Sequence, residues 1–300
     1  MSDASESAPG GRPGHRPAPA AGTAGTAGHA GAGQAGTAGW PVLHLFQRID
    51  RARWRSLPPA ERAAAIEEAK AFFAGLQAEE GLQAIASGVI GKADFSLLAV
   101  HADLARLQRL AQELAATAFG SCLVTVDSFL SISEKSEYIS TTGDQAKKLL
   151  DEDGLAPDSP DFARQLGAFD KRMAAYAESR VHPRLPGEEF QVVCFYPMSK
   201  ARGETANWYR LPFNERKRLM ASHADAGRRY ADRVTQLVTS STGLDDWEWG
   251  VTLFAREPKA IRDIVYEMRY DEGSAIYGLF GPFYVSVRFA PSAIAEALRL

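Results

Sequence analysis

Three side chains that could carry chemistry lie close together in the sequence. The phenol of Tyr196 is followed four residues later by the cation of Lys200, and His223 completes a stretch of 28 residues. A phenol can be oxidised, a cation can pair with a carboxylate, and an imidazole can bind a metal. No other part of the sequence concentrates reactive side chains in this way. The first question is whether the three form a site or belong to a core.

His223 lies on the apolar face of a helix predicted over 214–230. On a helical wheel Leu219, Gly227 and Tyr230 lie within about sixty degrees of it. A core histidine bonded to the backbone would also fit this pattern. Gly227, one turn further on, costs the helix about 1 kcal/mol and leaves room for a flat group. A single imidazole on an apolar wall favours an axial haem ligand, whereas zinc takes more protein ligands.

Tyr196 ends the predicted strand Val192–Tyr196, just before Pro197. Because proline cannot donate to a strand ladder, the phenol is expected at the margin of the sheet. Taken singly, Tyr196 could be a packed tyrosine, Lys200 a solvated loop cation and Trp208 a packing aromatic. Their interpretation as a site therefore depends on the residues around them.

Gln236 shares one face of a predicted strand with Val234 and Val238. A side-chain amide among valines costs about 1–3 kcal/mol unless it is hydrogen-bonded. Gln236 is therefore either a satisfied core amide or a polar group presented to a ligand. The residues alone leave both interpretations open.

The composition is that of an ordinary globular protein, with 45% hydrophobic and 24% charged residues among 300. The formal net charge of -3 gives no reason to expect nucleic acid or an anionic membrane as a partner. Cys122 and Cys194 have no metal-like spacing, which favours a reduced, cytoplasmic setting. The sequence has no apolar run of about 18 residues, so no membrane span is expected. Phosphate-loop, hydrolase-elbow and zinc-protease motifs are also missing.

The chain is expected to divide into four parts. Residues 1–39 are rich in Ala, Gly, Thr and Pro and carry no large apolar side chain beyond Met1, so a disordered tail is expected. Residues 40–142 and 190–300 are each expected to form a ferredoxin-like repeat. A charged helical connector is expected over 143–189.

Hydrophobic periodicity gives each repeat the order β-α-β-β-α-β. In the first repeat we expect strands at 41–46, 82–90, 93–100 and 124–132, and helices from Pro59 and over 104–116. In the second we expect strands at 192–196, 234–239, 247–253 and 283–289, and helices over 214–230 and 261–268. A connector helix is expected over 161–176. The predicted fold class is α+β, with two ferredoxin-like repeats forming a dimeric α/β-barrel-type unit.

Short motifs recur at a nearly constant distance, which indicates a duplication. The motif W-x-x-L-P-x-x-E-R begins at Trp54 and again at Trp208, an offset of 154. A second motif, beginning at Gly91 and at Gly243, gives an offset of 152. A long internal period of this kind favours two copies of one fold over an array of short repeats.

The offset of 154 also tests whether the fold itself needs the reactive residues. It pairs His223 with Ala69 and Tyr196 with Val42. Neither partner in the first repeat is reactive, so the architecture does not require histidine or tyrosine at these positions. This observation favours a site in the second repeat.

Several motifs of the second repeat follow one another in a recognisable order. They are Cys194-Phe195-Tyr196-Pro197-Met198-Ser199-Lys200, Asn207-Trp208-Tyr209, His223 with Gly227-Arg228, the stretch from Gly243 to Phe254, and 266–272 with Ser274. Through them the chain resembles the haem-forming coproheme decarboxylases of the chlorite-dismutase-like family. The resemblance is strong over 180–289 and rests on the order of elements alone over 40–133.

The resemblance implies a role for each matching residue. His223 resembles the proximal iron ligand, Tyr196 the catalytic tyrosine whose radical abstracts hydrogen from a propionate, and Lys200 the lysine near that propionate. Gln236 stands at the distal position where chlorite-degrading relatives are expected to have arginine. The other positions implied to contact the porphyrin are Arg180 or, from the spacing, Arg184, together with Pro197, Met198, Ser199, Trp208 and Ser274.

The resemblance also implies an activity and its partners. Two propionates of Fe-coproporphyrin III (coproheme) would be decarboxylated to vinyls with hydrogen peroxide, giving haem b. Coproheme would be both substrate and redox centre, with no additional metal. A homopentamer and a transient contact with ferrochelatase are implied as well. The alternatives are a chlorite dismutase or haem peroxidase on the same fold, against which Gln236 and the Tyr196/Lys200 pair count, and a non-catalytic haem-binding protein.

Overall fold

A computed structural model of the chain describes residues 39–300, which form one compact unit. The predicted tail over 1–39 lies outside the described residues, apart from Gly39. The helices and strands within 39–300 follow the predicted order, with several additions. The expected domain boundaries at 142/143 and 189/190 stay predictions.

The first half is a β-α-β-β-α-β unit that begins at Pro41 and ends at Ser133. Its strands are β1 (Pro41–Ile49), β2 (Gln83–Val89), β3 (Phe95–Val100) and β4 (Leu123–Ser133), and its helices are α1 (Arg51–Ser56), α2 (Pro59–Ala78) and α3 (Leu104–Ala116). Local sequence explains the helix starts. Asp50 and Asp103 accept hydrogen bonds from the first amides of α1 and α3, and Pro59 occupies the first turn of α2. The helix α1 was not predicted.

The connector contains two helices, of which one was predicted. In α4 (Thr142–Asp151), Thr141 and Asp144 form a reciprocal capping box. In α5 (Pro160–Val181), the side chain of Ser159 caps the first turn. The second helix is longer at both ends than the predicted 161–176, and α4 was missed.

The second half repeats the order of the first and adds to it. Its strands are β5 (Val192–Lys200), β6 (Val234–Ser240), β7 (Trp249–Ala255), β8 (Gly278–Phe280) and β9 (Tyr284–Arg288). Its helices are α6 (Phe213–Arg228), α7 (Pro258–Met268), α8 (Glu272–Tyr277) and α9 (Ile294–Leu298). The short elements α8 and β8 are inserted between α7 and β9, and neither was predicted.

The strands close into a ring that contains both halves. The first half has the strand order β4-β1-β3-β2, and the second has β9-β5-β7-β6. The halves meet antiparallel at two seams, β4 with β6 and β2 with β9. These orders confirm the predicted fold class, α+β with two ferredoxin-like repeats in a barrel-type unit.

The inside of the ring is shared by the halves. Its apolar side chains come from both, as in the contacts of Val42 with the cluster around Phe254, and of Phe46 with Phe195 at 5.4 Å between ring centroids. His44 of the first half lies here, with Nε2 2.8 Å from the hydroxyl of Thr252 of the second. Burial lowers the pKa of His44 to about 3, so its imidazole is neutral.

Each seam is crossed by a buried pair of hydroxyl groups. Ser87 of β2 and Ser286 of β9 lie 2.9 Å apart between their Oγ atoms. At the other seam Thr239 of β6 donates to Ser131 of β4 at 2.8 Å. All four residues are buried, so these bonds form away from solvent.

Two expectations about Tyr196 and its strand are wrong. The strand does not end at Tyr196, because β5 continues to Lys200 and Tyr196 is paired with Val251 of β7. The phenol is therefore inside the sheet and away from its margin. Pro197 is tolerated because it lies where β5 changes partner from β9 to β8, and its carbonyl accepts from the amide of Gly281 at 2.8 Å.

The offset of 154 pairs Tyr196 with Val42, but these two residues take opposite faces of their strands. Val42 points into the ring beside Val193, whereas Tyr196 points outward into the cluster under α7. A shift of one residue along a strand turns every side chain to the other face. Leu43, the next residue of β1, points outward and packs against the outer cluster of the first half.

Among residues 39–300, no helix combines the length and the apolar character that a membrane-spanning segment requires.

Candidate active site

The outer faces of the two halves are covered in different ways. In the first half α2 supplies apolar side chains to the buried cluster over the sheet, namely Ala65, Ala69, Phe73 and Leu76. In the second half the cluster over the sheet takes Ala260, Ile261 and Ile264 from α7. Within residues 39–300, α6 contributes no side chain to that cluster. The sheet of the second half is therefore covered by α7 and by Tyr230, which follows α6.

Gly227 of α6 faces the sheet at this place. A Cβ added at Gly227 would lie 3.2 Å from Cε of Met268 and 3.4 Å from Nε2 of Gln236. Gln236 is thus a half-buried amide on β6 that points towards the helix, on the face shared with Val238. Gly227 thus lets α6 approach Met268 and Gln236 closely, with no side chain of its own between the helix and the sheet.

His223 lies on α6 one turn before Gly227 and is half-buried, with 32% of its side chain exposed. Its Nδ1 is 2.9 Å from Oδ2 of Asp271 and 3.3 Å from Oγ of Ser274. A carboxylate at one ring nitrogen favours the proton there and leaves the other nitrogen as a lone-pair donor. This geometry favours the tautomer in which Nδ1 carries the proton and Nε2 is free to bind a metal.

Asp271 is a candidate site residue that sequence reasoning missed. Its carboxylate accepts from the amides of Gly273 and Ser274 at 3.1 Å and so caps α8. Burial alone would raise the pKa of Asp271, but the hydrogen bonds from His223 and Ser274 bring it down to about 2. Asp271 thus stays charged beside His223. The N-cap pattern before Ser274 signals a turn, but nothing in the sequence connects it to a histidine 48 residues earlier.

Tyr196 stands on the outward face of β5 and is 5% exposed. Its ring stacks on Phe283 with 4.5 Å between centroids and lies 5.9 Å from the ring of Phe280. Within residues 39–300 its hydroxyl makes no hydrogen bond. Burial raises the pKa of Tyr196 above its usual range, with a further rise from Cys194. The phenol therefore stays protonated in an aromatic, nearly dry setting.

Lys200 ends β5 on the same face and is 7% exposed, so it is not a solvated loop cation. Its Nζ lies 4.3 Å from the ring centroid of the buried Trp208 and 3.4 Å from the carbonyl of Gly273. Burial lowers the pKa of Lys200 to about 8, against the pull of Asp271 and Glu248. The start of α8 thus contacts both Lys200 and His223, which brings together residues 23 positions apart in the chain.

The three residues between Tyr196 and Lys200 divide between the two faces of β5. Met198 packs with Tyr196 on the outer face. Pro197 and Ser199 alternate with them and point to the other side, where the Ser199 hydroxyl accepts from the amide of Glu248 at 3.2 Å. Met198 is therefore brought to the site, whereas Pro197 and Ser199 support the strand from behind.

Two arginines were considered as anion contacts. Arg180 lies in the last turn of α5, with Nη2 3.4 Å from the carbonyl of Val238, two residues from Gln236 on β6. Its Nε is buried and has no partner among the described residues. Arg184 is exposed in the loop that follows. The geometry favours Arg180, because a buried donor without a partner is a place where an anionic ligand is stabilised.

The residues present fit an iron porphyrin with propionate groups. His223 offers one imidazole nitrogen, Arg180 and Lys200 offer cations, and Gly227 leaves a side-chain-free surface. Within residues 39–300, His, Cys, Asp and Glu do not gather in any group of three or more that could hold a metal ion. His223 would therefore act as a single protein ligand, as a porphyrin iron requires.

These features define an α+β barrel protein with a candidate one-imidazole site on the outer face of its second half. The family model described as chlorite dismutase matches residues 62–289. The chain belongs to the chlorite dismutase-like family.

Similar proteins include a coproheme decarboxylase of Thermus thermophilus, 38% identical over 87% of this chain and 95% of that protein. A protein of Natronomonas pharaonis named for heme binding is 38% identical over 86% of this chain. The chain covers 40% of that relative, and 46% and 48% of two further archaeal proteins with the same kind of name. It thus spans less than half the length of these relatives.

Two solved structures illustrate the shared fold. A heme-binding protein from Thermus thermophilus superposes with a TM-score of 0.72 at 37% identity, over 88% of this chain and 96% of that one. A variant of chlorite dismutase from Candidatus Nitrospira defluvii superposes with a TM-score of 0.64 at 17% identity, over 88% and 95% of the two chains. The second likeness concerns the fold alone.

Proposed function

We propose that the protein binds Fe-coproporphyrin III between α6 and the outer face of β5, β6 and β7, and decarboxylates two of its propionates to vinyls with hydrogen peroxide. The product is haem b. The observation that carries the proposal is His223, a half-buried imidazole whose Nδ1 is held by Asp271, one helical turn from the side-chain-free position Gly227. The name of the Thermus thermophilus relative, coproheme decarboxylase, supports the same reaction.

Each decarboxylation removes two electrons from the substrate. A propionate, one hydrogen peroxide and one proton give a vinyl group, carbon dioxide and two waters. When bound, the iron porphyrin supplies the reaction with peroxide and the site of oxidation. The protein must hold the iron, provide an oxidisable group beside a propionate, and supply cations and a proton.

The side chains of the site divide these tasks. His223 Nε2 holds the iron, with Asp271 fixing the imidazole. Tyr196 is oxidised, and its phenoxyl abstracts hydrogen from the propionate. Lys200 pairs with the reacting propionate and, with a pKa of about 8, can give up a proton near neutral pH. Arg180 binds a second carboxylate through its unpartnered Nε.

Other residues shape the pocket in this proposal. Gln236 and Met198 contact the porphyrin from the sheet, and Trp208 supports Lys200. Ser274 reaches the ligand or acts through His223. Pro197 and Ser199 act from behind the strand. We further propose a homopentamer in the cytoplasm, coproheme and peroxide as the ligands, no additional metal, and a transient contact with ferrochelatase.

The test is to load the protein with ferric coproheme, add hydrogen peroxide in steps and follow product masses. We expect two successive losses of a carboxyl group. Unchanged coproheme would contradict the proposal and leave a non-catalytic haem-binding protein. Chlorite breakdown with release of oxygen, at a rate above the peroxide reaction, would instead indicate chlorite dismutase.

A further inference from the structure

Glu248 is a carboxylate buried to 6% exposure at the junction of β5 and β7. Its Oε2 accepts from the backbone amide of Lys200 at 2.7 Å. Its own amide donates to the carbonyl of Met198 at 3.1 Å and to the hydroxyl of Ser199 at 3.2 Å. One residue therefore holds the last three residues of β5.

The place of Glu248 in the ladder explains why β5 needs it. The pairing of β5 with β7 ends at Met198 and Trp249. Lys200 pairs with Gly278 of β8 on its other side, so β7 offers no backbone acceptor for its amide. The carboxylate of Glu248 takes the place of the missing carbonyl. Without it the buried amide of Lys200 would have no acceptor. The free-energy cost of this unpaired donor favours a different path for the end of β5.

The charge of Glu248 also acts on Lys200. Glu248 and Asp271 are the two acidic groups whose charge raises the pKa of Lys200, against the lowering by burial. The other oxygen of Glu248 lies 3.8 Å from Nη1 of the exposed Arg202. Tyr209 also lies beside this carboxylate, and the pKa of Tyr209 is raised by burial and then by its hydrogen bond to Glu248. Glu248 thus lies among hydrogen-bond donors and a cation.

We propose that Glu248 is a positioning residue, which fixes the end of β5 so that the ammonium of Lys200 stays over Trp208 and beside the reacting carboxylate. This inference rests on the proposed function, because it assigns Glu248 a role in that reaction. Glu248 acts through Lys200 and touches neither the porphyrin nor the peroxide.

The main test compares Glu248→Ala and Glu248→Gln with Glu257→Gln. Glu257 is an exposed carboxylate near the opposite end of β7 and serves as the matched control. We expect Glu248→Ala to lower kcat about 100-fold, the cost of a misplacement of about 1 Å, with a smaller change in KM. Glu248→Gln keeps an acceptor for the Lys200 amide, so its loss of kcat should be smaller. Glu257→Gln should match the wild type.

A pH profile separates positioning from general damage. Glu248→Gln removes one of the two negative charges that support protonated Lys200, so the alkaline limb of kcat should move to lower pH. A parallel loss at every pH, with no shift of the limb, would contradict the electrostatic part of the proposal.

A double-mutant cycle tests whether Glu248 acts through Lys200. In a Lys200→Ala background the further change Glu248→Ala should alter kcat less than about 3-fold, whereas two independent residues would give losses that multiply. Losses that multiply would overturn the proposal. Thermal unfolding of each variant shows whether it is folded, and Glu248→Gln carries the test if Glu248→Ala is not.

A readout without substrate keeps this inference separate from the proposed function. Reductive methylation with formaldehyde, followed by mass mapping, measures the reactivity of Lys200 in the substrate-free protein. We expect Lys200 to be modified at least several-fold faster in Glu248→Ala than in the wild type and Glu257→Gln, because its strand end is released. An unchanged rate would overturn the positioning role. Unreacted coproheme in the wild type would overturn only the reaction.

Discussion

The two halves share one fold but use the outer face of the sheet in opposite ways. In the first half α2 covers the sheet with Ala69 and Phe73, 1% and 2% exposed. In the second half the corresponding helix is α6, which carries His223 and Gly227. The cluster over that sheet is filled by side chains of α7 instead. In the first half α2 is fixed to its sheet by apolar packing, whereas in the second α6 presents a half-buried imidazole and a side-chain-free position beside its sheet.

This comparison indicates how a site can arise in a duplicated fold. The ring and its shared interior hold both halves in place, and α7 packs over the second sheet. Because of this, α6 does not need to supply that apolar packing. Therefore α6 can carry a glycine and a half-buried histidine, at a cost in stability that the rest of the barrel offsets. Four predictions test whether the difference between α2 and α6 is the cause of function.

The largest effect is expected from His223→Ala. The coproheme complex should lose the spectral signature of an axial imidazole, because no other histidine lies on that face of α6. The reciprocal change, Ala69→His, should give the first half no such signature and should destabilise the protein by about 1–3 kcal/mol, since the packed face of α2 has no space. Absorption spectra and urea unfolding check both. An axial-imidazole signature that survives in His223→Ala would contradict the assignment.

Tyr196→Phe should stop carboxyl loss while leaving coproheme bound. The phenylalanine keeps the stack on Phe283, and only the oxidisable hydroxyl is removed. We expect the rate of the first decarboxylation to fall at least about 100-fold, the scale on which removing a reacting group acts. The matched control is Tyr266→Phe, an exposed tyrosine on α7. Product masses after peroxide addition decide the outcome, and equal losses in the two variants would exclude a special role for Tyr196.

The pH dependence of stability tests the interior that the two halves share, because the buried His44 lies there. Its folded pKa of about 3 lies below the ordinary 6.5, so the unfolded chain takes up the proton first as pH falls. Its contribution to stability is complete above pH 6.5 and should be lost towards pH 3, by about 2 kcal/mol at pH 5. Urea unfolding of the wild type and His44→Gln at pH 7, 6 and 5 measures this. The wild type should lose more stability than the variant, and parallel curves would refute the account.

The smallest effect compares one glycine from each helix. Gly75→Ala in α2 meets open space and should stabilise the substrate-free protein by up to about 1 kcal/mol. Gly227→Ala in α6 should gain a similar stabilisation from the higher helix propensity of alanine, reduced by the close contacts with Met268 and Gln236. Only Gly227→Ala should weaken coproheme binding. Equal affinities in a binding titration would show that the space at Gly227 is not used by the ligand.

Periodicity predicted the elements that are determined by their own sequence. The helix α3 has the predicted bounds, and β4, β6 and α7 differ from them by three residues or fewer at each end. The end of β5 was placed at Tyr196 because Pro197 normally disrupts a ladder, but here the partner strand changes at that residue. That change depends on β8, which is three residues long and gives almost no periodic signal.

The candidate site could be predicted in part. His223 and Gln236 were singled out because their types are unusual for the faces they occupy, and Tyr196 because its phenol can be oxidised and lies four residues from Lys200. Asp271 was missed because its contact with His223 joins two elements that are far apart in sequence. The pairing with Val42 failed because a constant offset between repeats carries no information on which face of a strand a residue takes.

The hydroxyl pairs at the two seams tie the stability of each half to the presence of the other. Ser87 is bonded to Ser286, and Ser131 receives a bond from Thr239. If one seam opened while its hydroxyls stayed buried, each unpaired group would cost about 1–3 kcal/mol. The two halves are therefore expected to unfold together as one cooperative unit.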